Sequence, residues 1–210
     1  MQLSPDHHRR LPFRVHRLAH DFELLDVWRF PLELDEAVPL SQFLAFFAGM
    51  QGELLSGSGP AARLFRLRKA MGRWFGWDDE EATAPLTIPG SGEHSLRERL
   101  SDEERARPID LEEGLGSGGP SFSPVYTFER ESLLEISNAT VHALMHVGRE
   151  PREPGVWAPQ LAVYVRTRGA LGRVYMAGIA PFRHGIVYPA MMRSAERRWP
   201  AYAAEHGFAT

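Results

Sequence analysis

Hydrophobic and polar positions near the carboxyl end of the chain recur with the period of an α-helix. Between Pro181 and Ala204, the apolar side of this repeat contains Val187, Met191, Ala195, Trp199 and Tyr202. The opposite side contains Arg193, Glu196 and Arg197, so one face is suited to burial and the other to water. Proline belongs in a first helical turn or at a kink. Pro189 therefore predicts that the regular helix begins near Tyr188, after an ordered turn over residues 181–187.

Segments upstream of this helix have the composition and alternation of β-strands. The first, Phe22 to Phe30, is rich in aromatic and aliphatic residues and stops at Pro31, as strands do. Further strands are predicted at Val125 to Glu129, Leu133 to Ser137, Thr140 to Val147, Gln160 to Arg166 and Arg173 to Ile179. The intervals between these later strands are too short for crossover helices, so we expect an antiparallel sheet.

Two short apolar helices are predicted between the first strand and the others. Ser41 is a suitable N-cap for the first, whose apolar residues are Phe43, Leu44, Phe46 and Phe47. Pro60 opens the second, in which Leu64, Leu67, Met71, Trp74 and Phe75 recur at helical spacing. Together these elements predict an α+β fold in which a curved antiparallel β-sheet wraps around a long C-terminal α-helix.

A polar surface insertion is predicted over residues 78–120, where acidic residues, Gly, Pro and Ser predominate. Within it, Ser95 to Arg105 is predicted as one short helix, because Ser95 and Glu98 have the spacing of a capping box. A Gly-x-Gly-x-x-Gly sequence begins at Gly114, but an acidic turn precedes it and Pro120 follows it. A dinucleotide-binding loop needs a strand before it and a helix after it. We therefore expect no cofactor.

The composition indicates one domain with a substantial core. The 210 residues include 24 basic and 27 acidic ones, giving a formal net charge of -3, and 43% are hydrophobic. The charges are mixed along the chain, which disfavours nucleic acid as a partner, and no apolar run reaches the roughly 20 residues of an integral membrane segment. Cysteine is absent, which suits a reducing compartment. We expect a cytoplasmic protein with a flexible or edge-packing tail at 1–20 and a single domain at 21–210.

Three local motifs resemble those of a known family. They are Ser95-Leu96-Arg97-Glu98-Arg99-Leu100, the run Glu-Ile-Ser-Asn-Ala-Thr-Val-His-Ala-Leu-Met-His at 135–146, and Ala180-Pro181-Phe182-Arg183-His184 followed by Ile186-Val187-Tyr188-Pro189. With these motifs, residues 20–200 resemble the bacterial family called domain of unknown function 2867. The order of elements resembles the helix-grip (SRPBCC) superfamily, which includes START lipid-transfer proteins, the pollen allergen Bet v 1 and polyketide cyclases. The resemblance implies a helix-grip fold and a tendency to hold apolar ligands, but no established catalytic residues.

His142 and His146 are candidate catalytic residues, and their role depends on the element that carries them. On a helix, this spacing would place both imidazoles on one face, as zinc ligands require. On a strand, the two Cα atoms would be about 13 Å apart, too far for one ion. Alternation over residues 140–147 favours the strand, so no metal is expected. The polar face of that strand is then either the solvated outside of the sheet or a cavity lining, where the histidines could bind a ligand or move protons.

Arg183 and His184 lie where the terminal helix is expected to begin. A helix N-terminus attracts anions, so Arg183 could hold the carboxylate or phosphate head of a ligand whose tail enters the core. In the alternative, Arg183 pairs with an acidic neighbour and locks the last strand to the helix. Other residues expected to bind the ligand are Tyr188, Tyr175, Met191 and Trp28. Asp26 and Arg29 lie on opposite faces of the first strand, so at most one of them points inward.

Three functions remain open at this stage. The first is binding, without catalysis, of a small apolar or amphipathic molecule in an apolar cavity between the sheet and the C-terminal helix. The second is an enzyme of the cyclase, dehydratase or isomerase type, with His142, His146 or His184 as acid or base and Arg183 as an anion clamp. The third is a non-catalytic accessory or dimerisation module, in which apolar surface forms a homodimer or contacts another partner.

Overall fold

The described part of the chain is an α+β structure with a curved antiparallel sheet and a long helical C-terminal segment. This computed structural model describes residues 1–56, 95–107, 122–137 and 141–208. The predicted helix that opens at Pro60 lies outside these ranges, and so does most of the predicted polar insertion.

Within the described residues, the sheet has six strands, and the first strand pairs with the last. The strands are β1 (Glu23–Arg29), β2 (Leu34–Asp35), β3 (Ser123–Thr127), β4 (Glu131–Ser137), β5 (Val141–Pro151) and β6 (Val156–Thr167). Their order is β1-β6-β5-β4-β3, and β2 pairs with the beginning of β6. Every pair is antiparallel, as the short intervals between the later predicted strands require for β3 to β6.

The described helices precede, interrupt and follow the sheet. They are α1 (Pro5–Arg9), α2 (Val15–Leu18), α3 (Leu40–Ser56), a 3₁₀ turn (Leu96–Arg99), α4 (Asp102–Arg105), α5 (Gly169–Phe182), a π-helical turn (Arg183–Val187) and α6 (Tyr188–Glu205). The predicted helix at Ser41 corresponds to α3, and α6 begins at Tyr188, where Pro189 predicts it. The helical segment is continuous from Gly169 to Glu205, so the predicted turn over 181–187 is the end of α5 and the π-helical turn.

The prediction of a strand over Arg173 to Ile179 was wrong, because this segment lies within α5. Its Val, Tyr and Ile residues favour strands, but propensity is a weak guide when tertiary structure decides. Strand β6 already has β1 on one side and β5 on the other, so the next segment could pair only at a sheet edge. Gly169, with φ of +65°, redirects the chain after β6, and a helix then satisfies the backbone locally.

The prediction of a single helix over Ser95 to Arg105 was also wrong in detail, because two short elements form there. Leu100 is extended, with ψ of 148°, and separates the 3₁₀ turn from α4. Ser101 accepts a hydrogen bond from the Glu104 backbone, and the Glu104 side chain bonds back to Ser101, which completes a capping box. Ser101, three residues before Glu104, therefore acts as a second N-cap and starts α4 as a separate helix.

The sheet separates two apolar cores. On one side, which we call the terminal-helix face, α3 and α6 pack against the sheet; its large buried residues are Trp28, Phe30, Phe43, Phe47, Leu161, Met191 and Trp199. On the other side, which we call the N-terminal face, α1, α2 and the 3₁₀ turn cover the sheet; its buried residues include Phe13, Val15, Leu18, Leu96, Leu144 and Tyr164. Residues 1–20 therefore lie over the sheet, and Leu3 also bonds to Val27 at the edge of β1, with an N···O distance of 2.9 Å.

Candidate functional site

Asp26 is a buried carboxylate on the terminal-helix face. The register between β1 and β6 shifts between Leu24 and Asp26, and this bulge sets which face the later residues of β1 occupy. After the bulge, Asp26 lies opposite Val163, and only 1% of its side chain is exposed. A buried carboxylate is stable only when charged or polar partners compensate it.

Three residues of the C-terminal helical segment provide these partners. His184 Nε2 lies 2.5 Å from Oδ1 of Asp26, and the Tyr188 hydroxyl donates to Oδ2 at 2.9 Å. A terminal guanidinium nitrogen of Arg183 lies 3.4 Å from Oδ2. We call Asp26, Arg183, His184 and Tyr188 the Asp26 cluster.

The π-helical turn explains why these three partners converge. The Tyr188 N–H bonds to the carbonyl of Arg183, five residues earlier, so the turn is wider than an α-helical one. Arg183 and His184 begin this wide turn, and Tyr188 follows it as the first residue of α6. Turns of this kind are rare and frequently occur at functional sites.

Trp28 forms the apolar wall of the Asp26 cluster. Its indole stacks on Tyr188, with ring centroids 5.0 Å apart, and its centroid lies 6.5 Å from that of the His184 imidazole. Among the described residues, neither the Trp28 indole N–H nor the Nε–H of Arg183 has an acceptor, although both atoms are buried. Buried donors without an acceptor are uncommon. One of these two donors belongs to the Asp26 cluster and the other to its apolar wall, so the cluster is a place where a ligand could bind.

The protonation of Tyr188 follows from its surroundings. Burial raises the pKa of this phenol far above its usual range, Asp26 raises it further, and Arg183 acts in the opposite direction. Tyr188 therefore remains a neutral donor. The side chain of His184 is 40% exposed, and its imidazole contacts both a buried carboxylate and solvent. A carboxylate that holds one ring nitrogen orients the imidazole and leaves the other nitrogen available for proton transfer.

The structure brings together four of the predicted ligand-binding residues: Trp28, Arg183, His184 and Tyr188. Met191 lies in the core of the terminal-helix face, and Tyr175 lies on α5, but its side chain is outside the described residues. Asp26, rather than Arg29, points toward the terminal helix. Asp26 is also the acidic neighbour that the alternative hypothesis for Arg183 requires.

His142 and His146 lie on β5, but on the N-terminal face and so away from the Asp26 cluster. His142 Nε2 donates to Glu135 at 3.0 Å, and His146 Nε2 donates to Glu131 at 3.1 Å. All four side chains are buried, so this polar face is neither solvated nor turned toward the terminal helix. In the described ranges, no three His, Asp or Glu side chains are placed to hold a metal ion.

The contacts that residues 1–20 make with the buried polar residues of the N-terminal face were not predicted from the sequence. Glu131 accepts a bond from the backbone N–H of Arg14 at 2.7 Å, and a second bond from the Tyr126 hydroxyl at 2.8 Å. The Tyr164 hydroxyl lies 3.0 Å from Nε2 of His8. The ring centroids of His8 and His146 are 5.2 Å apart. Burial, assisted by the nearby His146, lowers the pKa of His8 to about 3. The one available signal was the presence of four histidines within the first 20 residues.

An open polar cleft of about 550 Å³ lies at the hairpin end of the sheet. Its charged lining residues are Glu36, Glu129, Arg130, Arg149, Arg152 and Glu153. Arg149 donates to the Glu36 carbonyl at 2.9 Å and lies 4.6 Å above the Trp157 ring. Trp157 is about 20 Å along β6 from Val163, the neighbour of Asp26. The cleft has balanced charges and is separate from the Asp26 cluster.

The comparisons with known proteins give a family but no function. No helix in the described ranges is both long and apolar enough to cross a membrane. The sequence matches no curated protein and no solved structure. One family model matches residues 18–190, a range that includes the whole Asp26 cluster. The chain therefore belongs to the family described as "Protein of unknown function (DUF2867)".

Proposed function

We propose that this protein binds a small molecule with an apolar body and a polar head, and that the head lies at the Asp26 cluster. The architecture supports a helix-grip assignment, because β1 pairs with the last strand and α6 packs along one face of the curved sheet. In helix-grip proteins, which the sequence resembles, ligands lie between the sheet and the terminal helix. The Asp26 cluster lies in this position.

The observation that carries the proposal is the incomplete hydrogen bonding of Arg183, the cationic partner of Asp26. On the N-terminal face, Arg29 donates to Glu150 through both Nε and a terminal nitrogen, which is the usual bidentate geometry. Arg183 reaches Asp26 with a terminal nitrogen alone, and its buried Nε–H has no acceptor among the described residues. An ion pair that served only to lock the helix would be expected to use this donor.

Binding can be tested directly on the intact protein. Native mass spectrometry after purification without detergent detects a retained small molecule, and calorimetric titration with methyl nonyl ketone and with decanoate measures binding of two defined amphiphiles. We expect the wild type to hold at least one such molecule and Arg183→Met to bind it about tenfold more weakly. A wild-type protein that retains no small molecule and binds neither probe would overturn the proposal.

Arg193→Met is the matched control for this experiment. Arg193 is an exposed arginine of α6 that makes no ion pair among the described residues, so its replacement should leave binding unchanged. If Arg183→Met does not fold, the double variant Asp26→Asn with Arg183→Met removes both charges together and avoids leaving an unpaired buried carboxylate.

The contact between His184 and Asp26 favours a second candidate function, acid–base catalysis of the cyclase, dehydratase or isomerase type. The buried carboxylate orients an imidazole that is partly open to solvent, an arrangement suited to a general base. In heavy water, such a base should exchange the hydrogens next to the carbonyl of methyl nonyl ketone for deuterium, which NMR detects. His184→Gln should reduce this exchange by about a hundredfold or more. An exchange rate equal to that of buffer alone would exclude this candidate.

A further inference from the structure

The charge of Arg183 is already matched by the carboxylate of Asp26 within the Asp26 cluster. The Asp26 carboxylate is paired with the Arg183 guanidinium at 3.4 Å, and Tyr188 is an uncharged donor to the same carboxylate. Both carboxylate oxygens are engaged, Oδ1 by His184 and Oδ2 by Tyr188 and Arg183. The positive charge of Arg183 is thus already paired, as in the sequence-based alternative in which Arg183 contacts an acidic neighbour rather than an anionic ligand.

The donors without acceptors define the kind of atom that the site can accept. In the part of the chain that the structure describes, those at this site are the Trp28 indole N–H and the Nε–H of Arg183, and neither group can act as an acceptor. A carbonyl oxygen has two lone pairs and can accept both hydrogen bonds. A carboxylate or phosphate would add negative charge beside the poorly solvated Asp26, and like charges at short range disfavour each other's ionised form.

We infer that the polar head of the ligand is a neutral carbonyl oxygen, as in a ketone, ester or amide, and that Trp28 and Arg183 donate to it. This inference rests on the proposed function, because it specifies the ligand class of the same site. It also suits the second candidate function, since a neutral carbonyl beside His184 is a substrate from which an adjacent proton can be removed.

Two probes of the same shape separate a neutral carbonyl from an anion. Methyl nonyl ketone and decanoate have the same alkyl chain and carbonyl group, and differ only in that a methyl group replaces the charged oxygen. We expect the wild-type protein to bind the ketone at least about tenfold more tightly than decanoate in calorimetric titrations. Equal affinities, or tighter binding of decanoate, would overturn the carbonyl assignment while leaving the proposed binding function intact. If neither probe binds, the carbonyl assignment is overturned, and if the protein also retains no small molecule, the proposed function is overturned with it.

A pair of tryptophan variants tests the donor itself. Trp28→Phe keeps an aromatic ring against Tyr188 and removes the N–H, so it should weaken ketone binding about tenfold and leave decanoate binding unchanged. Trp199→Phe is the matched control, because Trp199 also has a buried indole N–H without an acceptor among the described residues. Trp199 lies on α6, about 16 Å along the helix from Tyr188 and the Asp26 cluster. Equal ketone affinity of the two variants would exclude Trp28 as the donor. If Trp28→Phe does not fold, Arg183→Lys removes the Nε–H while keeping the charge, and should lower ketone affinity.

Discussion

The Tyr188 hydroxyl donates a hydrogen bond of 2.9 Å to Oδ2 of Asp26, and this bond ties the first residue of α6 to the first strand of the sheet. Tyr188→Phe would keep the ring stacked on Trp28 but leave the buried carboxylate with one donor fewer. Loss of a hydrogen bond to a buried polar group costs about 1–3 kcal/mol. We expect urea denaturation, followed by circular dichroism, to show a loss of unfolding free energy in this range.

The same substitution in an Asp26→Asn background shows whether the loss comes from this bond. With the charge removed, the hydroxyl interacts with a neutral amide, and hydrogen bonds to charged groups are the stronger ones. Tyr188→Phe should therefore cost less in that background. An equal cost in both backgrounds would show that Tyr188 stabilises α6 through packing alone.

Gly148 on β5 provides a test of how closely residues 1–20 pack on the N-terminal face. A Cβ atom at this position would lie 2.5 Å from the Phe13 ring and 2.9 Å from the His146 imidazole. Overpacking of this kind typically costs about 1–3 kcal/mol, so Gly148→Ala should lower the urea midpoint and increase proteolytic cleavage within residues 1–20. Gly49→Ala in α3 is the control, because a Cβ there meets nothing within 4 Å and alanine favours a helix. Unchanged stability of Gly148→Ala would contradict the packing of Phe13 against β5.

The buried His8 should make stability depend on pH near neutrality. Burial and the neighbouring His146 lower its pKa to about 3 in the folded protein, against 6.5 for an unperturbed histidine. Between these values the unfolded chain binds a proton that the folded protein does not, so stability falls as the pH falls through this window. From about pH 7.5 to about pH 5.5, we expect His8 to account for a loss of about 1.4 kcal/mol in unfolding free energy.

Replacement of His8 isolates this contribution. His8→Gln should reduce the loss of stability between the two pH values by about the amount given above, whereas His20→Gln, at an exposed position, should not. Both measurements lie above the range in which carboxylates protonate, so Glu131 and Asp21 should contribute little. An unchanged pH dependence in His8→Gln would contradict the burial of a neutral His8 imidazole on the sheet-facing side of α1.

The sequence predicted those parts of the fold whose pattern is local. Pro189 placed the start of α6 near Tyr188, and alternation placed His142 and His146 on a strand, because both signals depend on neighbouring residues. The strand prediction within α5 was wrong, because whether this segment can form a strand depends on the strands that already pair with both edges of β6. That is a property of the whole sheet, which the local residues do not encode.

Only the part of the candidate site that lies on the C-terminal helical segment could be predicted from the sequence. Arg183, His184 and Tyr188 lie within one short motif, so their proximity follows from sequence. Their common partner Asp26 does not, because its direction depends on a bulge in β1 that shifts the register by one residue and so changes the face of the sheet. The contacts of residues 1–20 with the N-terminal face of the sheet are likewise long-range. No pattern in either segment indicates that the two segments contact each other.

His184 and His146 each contact a buried carboxylate, but on opposite faces of the sheet, and replacement of each should have a different effect. His146 is fully buried and donates to Glu131, so His146→Asn should lower the unfolding free energy by about 1–3 kcal/mol and leave ketone affinity unchanged. His184 is partly exposed beside Trp28 and Arg183, so His184→Asn should lower ketone affinity more than it lowers stability. Denaturation and calorimetry on the same two preparations measure both quantities. A loss of ketone affinity in folded His146→Asn would place the ligand on the N-terminal face and exclude the Asp26 cluster as its site.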